Sequence, residues 1–186
     1  MVLSAGGAPP DSFVESGVAC TRAKTIRQPD PQLIQFLRPY DAAVAELALA
    51  LRRMAIAAAP TAIEIVYDAY SAVSIGFSFT GRLKEMFLHI AVYRDHVNLG
   101  FNWGADLPDP QRFLIGKGSQ VRHLTVSTQA DLKQPHLLEF IGLAIDRSLM
   151  MRGPAPPKTQ VIIKVMKGNK RRPSAADLRV NSRAKD

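Results

Sequence analysis

The chain reads as an α+β domain, an antiparallel sheet of about five to six strands with two main helices on one face. Two observations predict it. Between Ala62 and Asn102, large apolar residues fall on every second position in several successive runs, with turn residues between the runs. Period two is the signature of pleated strands. On either side lie segments whose apolar residues recur at spacings of three and four, which is the period of one helical face.

The strands come first. Ile63, Ile65 and Tyr67 alternate with Glu64, Val66 and Asp68. Val73, Ile75, Phe77 and Phe79 alternate with Ser74, Gly76 and Ser78. The third run sets Met86, Leu88, Ile90 and Val92 against Phe87, His89, Ala91 and Tyr93. Val97, Leu99 and Phe101 then alternate with His96, Asn98, Gly100 and Asn102. Gly81-Arg82 and Arg94-Asp95 mark the turns, so neighbouring runs are expected to pair as a meander. One face of that sheet is apolar and the other small and polar, as in antiparallel sheets covered on a single side. Val121 to Ser127 reads as a further strand.

The helices flank this core. Asp30-Pro31 is an N-cap followed by proline, which opens a turn or two through Leu37. Asp41 caps Ala42 to Ala58, where Val44, Leu47, Leu51, Met54 and Ala58 line one face before Pro60 stops it. Pro135 begins a second long helix with Leu137, Leu138, Ile141, Ala144, Ile145 and Leu149 on one side, ended by Gly153-Pro154. Asp109-Pro110 is expected to start a short helix through Leu114. Gly116-Lys117-Gly118 reads as a tight turn that needs glycine at positive φ.

Three regions follow: residues 1–28 without periodicity, a domain over 29–153, and a tail over 154–186. The 186 residues carry a net charge of +8. The tail holds nine cations against Asp177 and Asp186, so it accounts for most of the excess. Within it, residues 160–166 are apolar and β-branched. They suit a short strand that joins a sheet edge or a second copy of the chain. A single cysteine, Cys20, rules out an internal disulfide framework. The N-terminus lacks a basic and then apolar leader, and no segment suits a membrane span. A cytoplasmic location is the expectation.

An ordered set of short motifs carries a resemblance. Glu64-Ile65-Val66-Tyr67, Phe87-x-His89-Ile90, Leu99-Gly100-Phe101, Gly104-Ala105-Asp106-Leu107-x-Asp109-Pro110, Gly116-Lys117-Gly118 and Val121-Arg122-His123-Leu124 run in this order. From about Ala43 to Arg147 the chain resembles the YdhG-like domains of unknown function. The resemblance implies a small α+β domain with a frataxin-like outline and helices on one sheet face. One bacterial branch of that family is linked to iron handling. The first long helix offers only Asp41 and Glu46 before Arg52 and Arg53. Hard cations need several carboxylates together, so frataxin-like iron binding is a disfavoured alternative. No metal site and no cofactor are expected.

No H-E-x-x-H, G-x-S-x-G or Cys-x-x-Cys motif is present, and no catalytic residue is assigned. Side-chain parity places Ser74, Ser78, His89 and Asn98 on the polar sheet face. With Asn102 and Trp103 they make a candidate seat for an unknown small ligand. Lys117 and Arg122 beside the glycine turn are candidate anion contacts. The expected function is a non-enzymatic ligand-binding or chaperone-type module. A second reading makes the tail an arm for nucleic acid or another polyanion, through Lys167, Lys170, Arg171 and Arg172. Homodimerisation is a further expectation.

Overall fold

The computed structural model describes residues 27–152, 160–166 and 170–173. The order is α1 (Pro31–Leu37), α2 (Ala42–Ala58), β1 (Ile63–Asp68), β2 (Val73–Ser78), β3 (Met86–Val92), β4 (Val97–Phe101), β5 (Arg122–Val126), α3 (Pro135–Arg152) and β6 (Val161–Val165). Asp30 and Asp41 cap the first two helices, each accepting a bond of 2.8 Å from the backbone N–H two residues on. The aspartates thereby satisfy donors that have no partner within the helix.

The six strands form one sheet in the order β5-β4-β3-β2-β1-β6. From β1 to β5 every neighbour is antiparallel. The expectation of a wholly antiparallel sheet is corrected at β6, which pairs parallel to β1 with Ile65 beside Ile162. The reason is topological. The chain leaves β5, crosses the sheet as α3 and returns on the far side of β1, a crossover of the kind that parallel pairing requires. The sheet is therefore mixed, and three helices accompany it.

Core residues from α1, α2 and α3 meet Val66, Val73, Ile75, Phe77, Leu88, Ile90, Val92, Val97, Leu99, Phe101, Leu124 and Val126 on one sheet face. In β2, β3 and β4 these residues share the parity that the alternation assigns, whereas in β1 it is Val66, opposite Ile75, and not Ile63 or Ile65 that joins this core, and in β5 it is Leu124 and Val126. One position in β3 departs from the alternation. The β2–β3 register slips between Phe77 and Ser78, so that Ser78 pairs with Met86. A bulge reverses parity beyond itself. Phe87 consequently enters the helix-side core, while Met86 lies over Gly76 on the open face. The sequence expectation had these two residues exchanged.

The segment after Asp109 is not helical, which corrects a second expectation. The Asp109 carboxylate accepts bonds from the N–H groups of Phe113 (2.9 Å) and Leu114 (2.8 Å). It holds an irregular turn in which Arg112 takes a φ of 58°. Gly116 has the positive φ expected of it, 135°.

Candidate functional site

The open sheet face brings several expected residues together. Ser74, Ala91, Asn98 and Thr125 form one row across four strands, and Gly76, His89, Gly100 and His123 form the next. Ser74, His89 and Asn98 thus share a surface, as parity requires. The rows are tied by their own bonds. Thr125 Oγ1 donates to Asn98 Oδ1 at 3.0 Å. His89 Nδ1–H donates to Asn102 Oδ1 at 2.9 Å, which leaves Nε2 as the acceptor of the neutral ring. The imidazole lies flat over Gly100, where a Cβ would run into the ring. Burial pushes the His89 pKa below the usual imidazole value; the Asn102 bond opposes this and His123 reinforces it. Burial also lowers His123, and His96 adds to that effect. At neutral pH both rings on this face are uncharged acceptors and donors.

Ser78 stands apart from the group. It is fully buried, and its Oγ accepts from Thr80 N–H at 3.1 Å and lies 3.2 Å from Thr80 Oγ1. It organises the turn into β3. Lys117 is exposed and belongs to the glycine turn. Arg122 caps carbonyls, with Nη1 donating to Val121 O at 2.9 Å and to Gly118 O at 2.5 Å. Its guanidinium holds the turn together.

Trp103 belongs to a different concavity. A cleft of about 340 Å³ is lined by Lys84, Glu85, Met86, Phe87, Trp103, Arg147, Ser148 and Met151. It opens between the β2–β3 turn, the loop after β4 and the C-terminal half of α3. The Arg147 guanidinium sits 4.7 Å over the Trp103 ring and is also paired with the Asp106 carboxylate. A cation on an aromatic face is held by the ring quadrupole, worth about 0.5–1 kcal/mol at an exposed site. The wall is therefore a flat aromatic surface with a fixed cation, and Met86 and Met151 supply pliable apolar surface. Sequence reading singled out Trp103 but missed Arg147 and Lys84. Nothing in the spacing of either basic residue points to Trp103.

The four tail cations have distinct placements. Lys167 lies outside the described residues, as does Cys20. Lys170 Nζ and Arg172 Nε converge on the Asp68 carboxylate at the end of β1, the latter at 2.5 Å. Arg172 also lies 5.8 Å from the Phe36 ring centroid on α1. The Arg171 backbone N–H donates to Tyr70 O at 2.9 Å, and its guanidinium stands over the Tyr70 ring at 5.3 Å. The described part of the tail is a strap fastened to the β1–β2 corner.

Among the described residues no group of three or more His, Cys, Asp or Glu side chains is placed to hold a metal ion, and no helix is long and apolar enough to cross a membrane. No family model, curated protein or solved structure matches the chain.

Proposed function

We propose that this protein is a small-ligand-binding module of YdhG-like type, without catalytic activity of its own, and that its ligand lies in the Trp103 cleft. The observation that carries the reading is the Arg147 guanidinium stacked on Trp103 in the wall of that cleft. Binding sites combine apolar walls with a few placed polar groups, and this wall has both. Lys84 adds a second cation at the rim. The chemistry suits a ligand with a flat apolar body and one anionic group. The body would lie against Trp103, Met86 and Met151, and the anion would meet Arg147 or Lys84.

Trp103 is the sole tryptophan of the chain, so its fluorescence reports on the cleft alone. The test is a titration with 1-anilinonaphthalene-8-sulfonate, an aromatic anion of the stated class. Quenching of Trp103 with a saturable, stoichiometric curve is expected, weakened at least about tenfold in Arg147→Ala, the loss that one charge-assisted contact represents. Binding that leaves Trp103 emission unchanged, or that Arg147→Ala does not weaken, would overturn the reading.

A further inference from the structure

The β1–β6 ladder fixes which way the backbone of β6 faces. Glu64 N–H donates to Gln160 O at 2.9 Å, and Met166 N–H donates to Asp68 O at 3.0 Å. In a parallel ladder the bonding residues alternate, so Gln160, Ile162, Lys164 and Met166 turn their backbone groups toward β1. Val161, Ile163 and Val165 turn theirs away. Because β6 ends the sheet, these three N–H and three C=O groups have no strand partner among the described residues. The opposite edge differs. Ile115 exchanges both backbone bonds with His123, at 2.8 and 2.9 Å, and so blocks the first half of β5.

An open edge of this kind is a template for another strand. Val161 and Ile163 rest on the core, while Val165 is 53% and Met166 39% exposed. Val165 continues the row of Val161 and Ile163 past the part that the domain covers, and Met166 adds exposed apolar surface on the other face. Charge selects the occupant. From Gln160 to Pro173 the chain carries Lys164, Lys167, Lys170, Arg171 and Arg172 and no acidic residue. Asp68 answers Lys170 and Arg172 with a single negative charge. Pairing with a second copy would set this row of cations against itself, and like charges oppose association.

We propose that the β6 edge binds an extended acidic segment of a partner protein by strand addition. The incoming backbone bonds to Val161, Ile163 and Val165, and its carboxylates meet Lys164 and Arg171. This surface is separate from the Trp103 cleft, and either can fail without the other.

The test uses the full chain and two synthetic peptides with the same core, Glu-Glu-Val-Thr-Val-Thr-Val-Glu-Glu and its lysine-flanked counterpart. Amide hydrogen exchange is read at residues 161, 163 and 165, and affinity by fluorescence anisotropy. The glutamate-flanked peptide slows exchange at those three amides, and added salt weakens it. Val165→Pro removes one outward N–H and no bond to β1, so it weakens the peptide by about threefold to tenfold, the worth of one hydrogen bond. Lys164→Glu weakens the acidic peptide and strengthens the lysine-flanked one. Equal binding of both peptides overturns the proposal, as does unchanged affinity in Val165→Pro. So does exchange already slow in the free monomer, which marks an edge covered by the chain itself, or protection that follows protein concentration, which marks a second copy.

Discussion

Arg52 and Glu64 form a two-pronged ion pair in the interior, Nε to Oε1 at 2.7 Å and Nη2 to Oε2 at 2.8 Å. Arg52 is 1% exposed and Glu64 fully buried. The remaining guanidinium donors reach the carbonyls of Arg27 (2.9 Å) and Gln28 (3.1 Å). The pair therefore ties the middle of α2 to β1 and to the chain entering α1.

Removing Glu64 leaves the Arg52 charge buried without a counter-charge, and removing Arg52 leaves Glu64 with only Arg27, at 3.8 Å. Glu64→Gln or Arg52→Ala should each destabilise the fold by about 3–5 kcal/mol, measured by urea unfolding. Replacing both, with Arg52→Met and Glu64→Leu, should recover most of that loss, because an apolar pair of similar volume needs no counter-charge. A double variant as unstable as the sum of the singles would show that the pair is not acting as a unit.

The strap should be acid-sensitive. Burial raises the Asp68 pKa, but hydrogen bonds and charge from Arg172 and Lys170 outweigh it and hold the carboxyl below its ordinary value of 3.8. A depressed folded pKa gives stability that is present above the unfolded value and is lost as pH falls through the folded one. The tail contacts are thus intact at neutral pH, begin to weaken once the pH drops below 3.8 and are released as it falls through the lower folded value. Asp68→Asn should release them at neutral pH, at a cost of about 1–3 kcal/mol. The exchange rate of the Arg171 amide, bonded to Tyr70, reads the release directly.

The open face makes a second pH prediction. His89 has a folded pKa below 6.5, so its contribution is complete above that pH and declines as the solution is acidified past it. Because the Asn102 bond raises the His89 pKa against burial, Asn102→Ala should lower it further. NMR titration of the ring protons would show this. Gly100→Ala should displace the ring, break the bond to Asn102 and cost about 1–3 kcal/mol as overpacking does.

Asp106→Ala tests the cleft from the other side. The Asp106–Arg147 pair is partly exposed, with side chains 55% and 24% accessible, so its loss should change stability by no more than about 1 kcal/mol. It should nevertheless shift Trp103 emission, since Arg147 loses one of its two restraints. A large stability loss with unchanged emission would contradict this.

Much of the architecture was legible because period-two and period-three-to-four patterns report local geometry. The meander, the capped helices and the shared face of Ser74, His89 and Asn98 came from neighbours in sequence. The exchange of Met86 and Phe87 escaped because a bulge adds one residue without altering the pattern on either side. The direction of β6 escaped because alternation is the same for parallel and antiparallel strands. The strongest polar contacts were invisible for another reason. Arg52 with Glu64, Asp68 with Lys170 and Arg147 with Trp103 join residues on different elements, and only the finished packing makes them neighbours. In the sequence Arg52 is only a cation beside Arg53 in the first long helix, and Asp68 only one of the residues that alternate with Ile63, Ile65 and Tyr67.

The placement of β6 bears on the route to the finished domain. Hairpin contacts from β1 to β4 close short loops, whereas joining Ile65 to Ile162 closes a loop that holds β2 to β5 and α3. The last strand should be the last to arrive. Until then β1 stands as a sticky flank, and the interval before closure is when this polypeptide is most exposed to intermolecular misassembly.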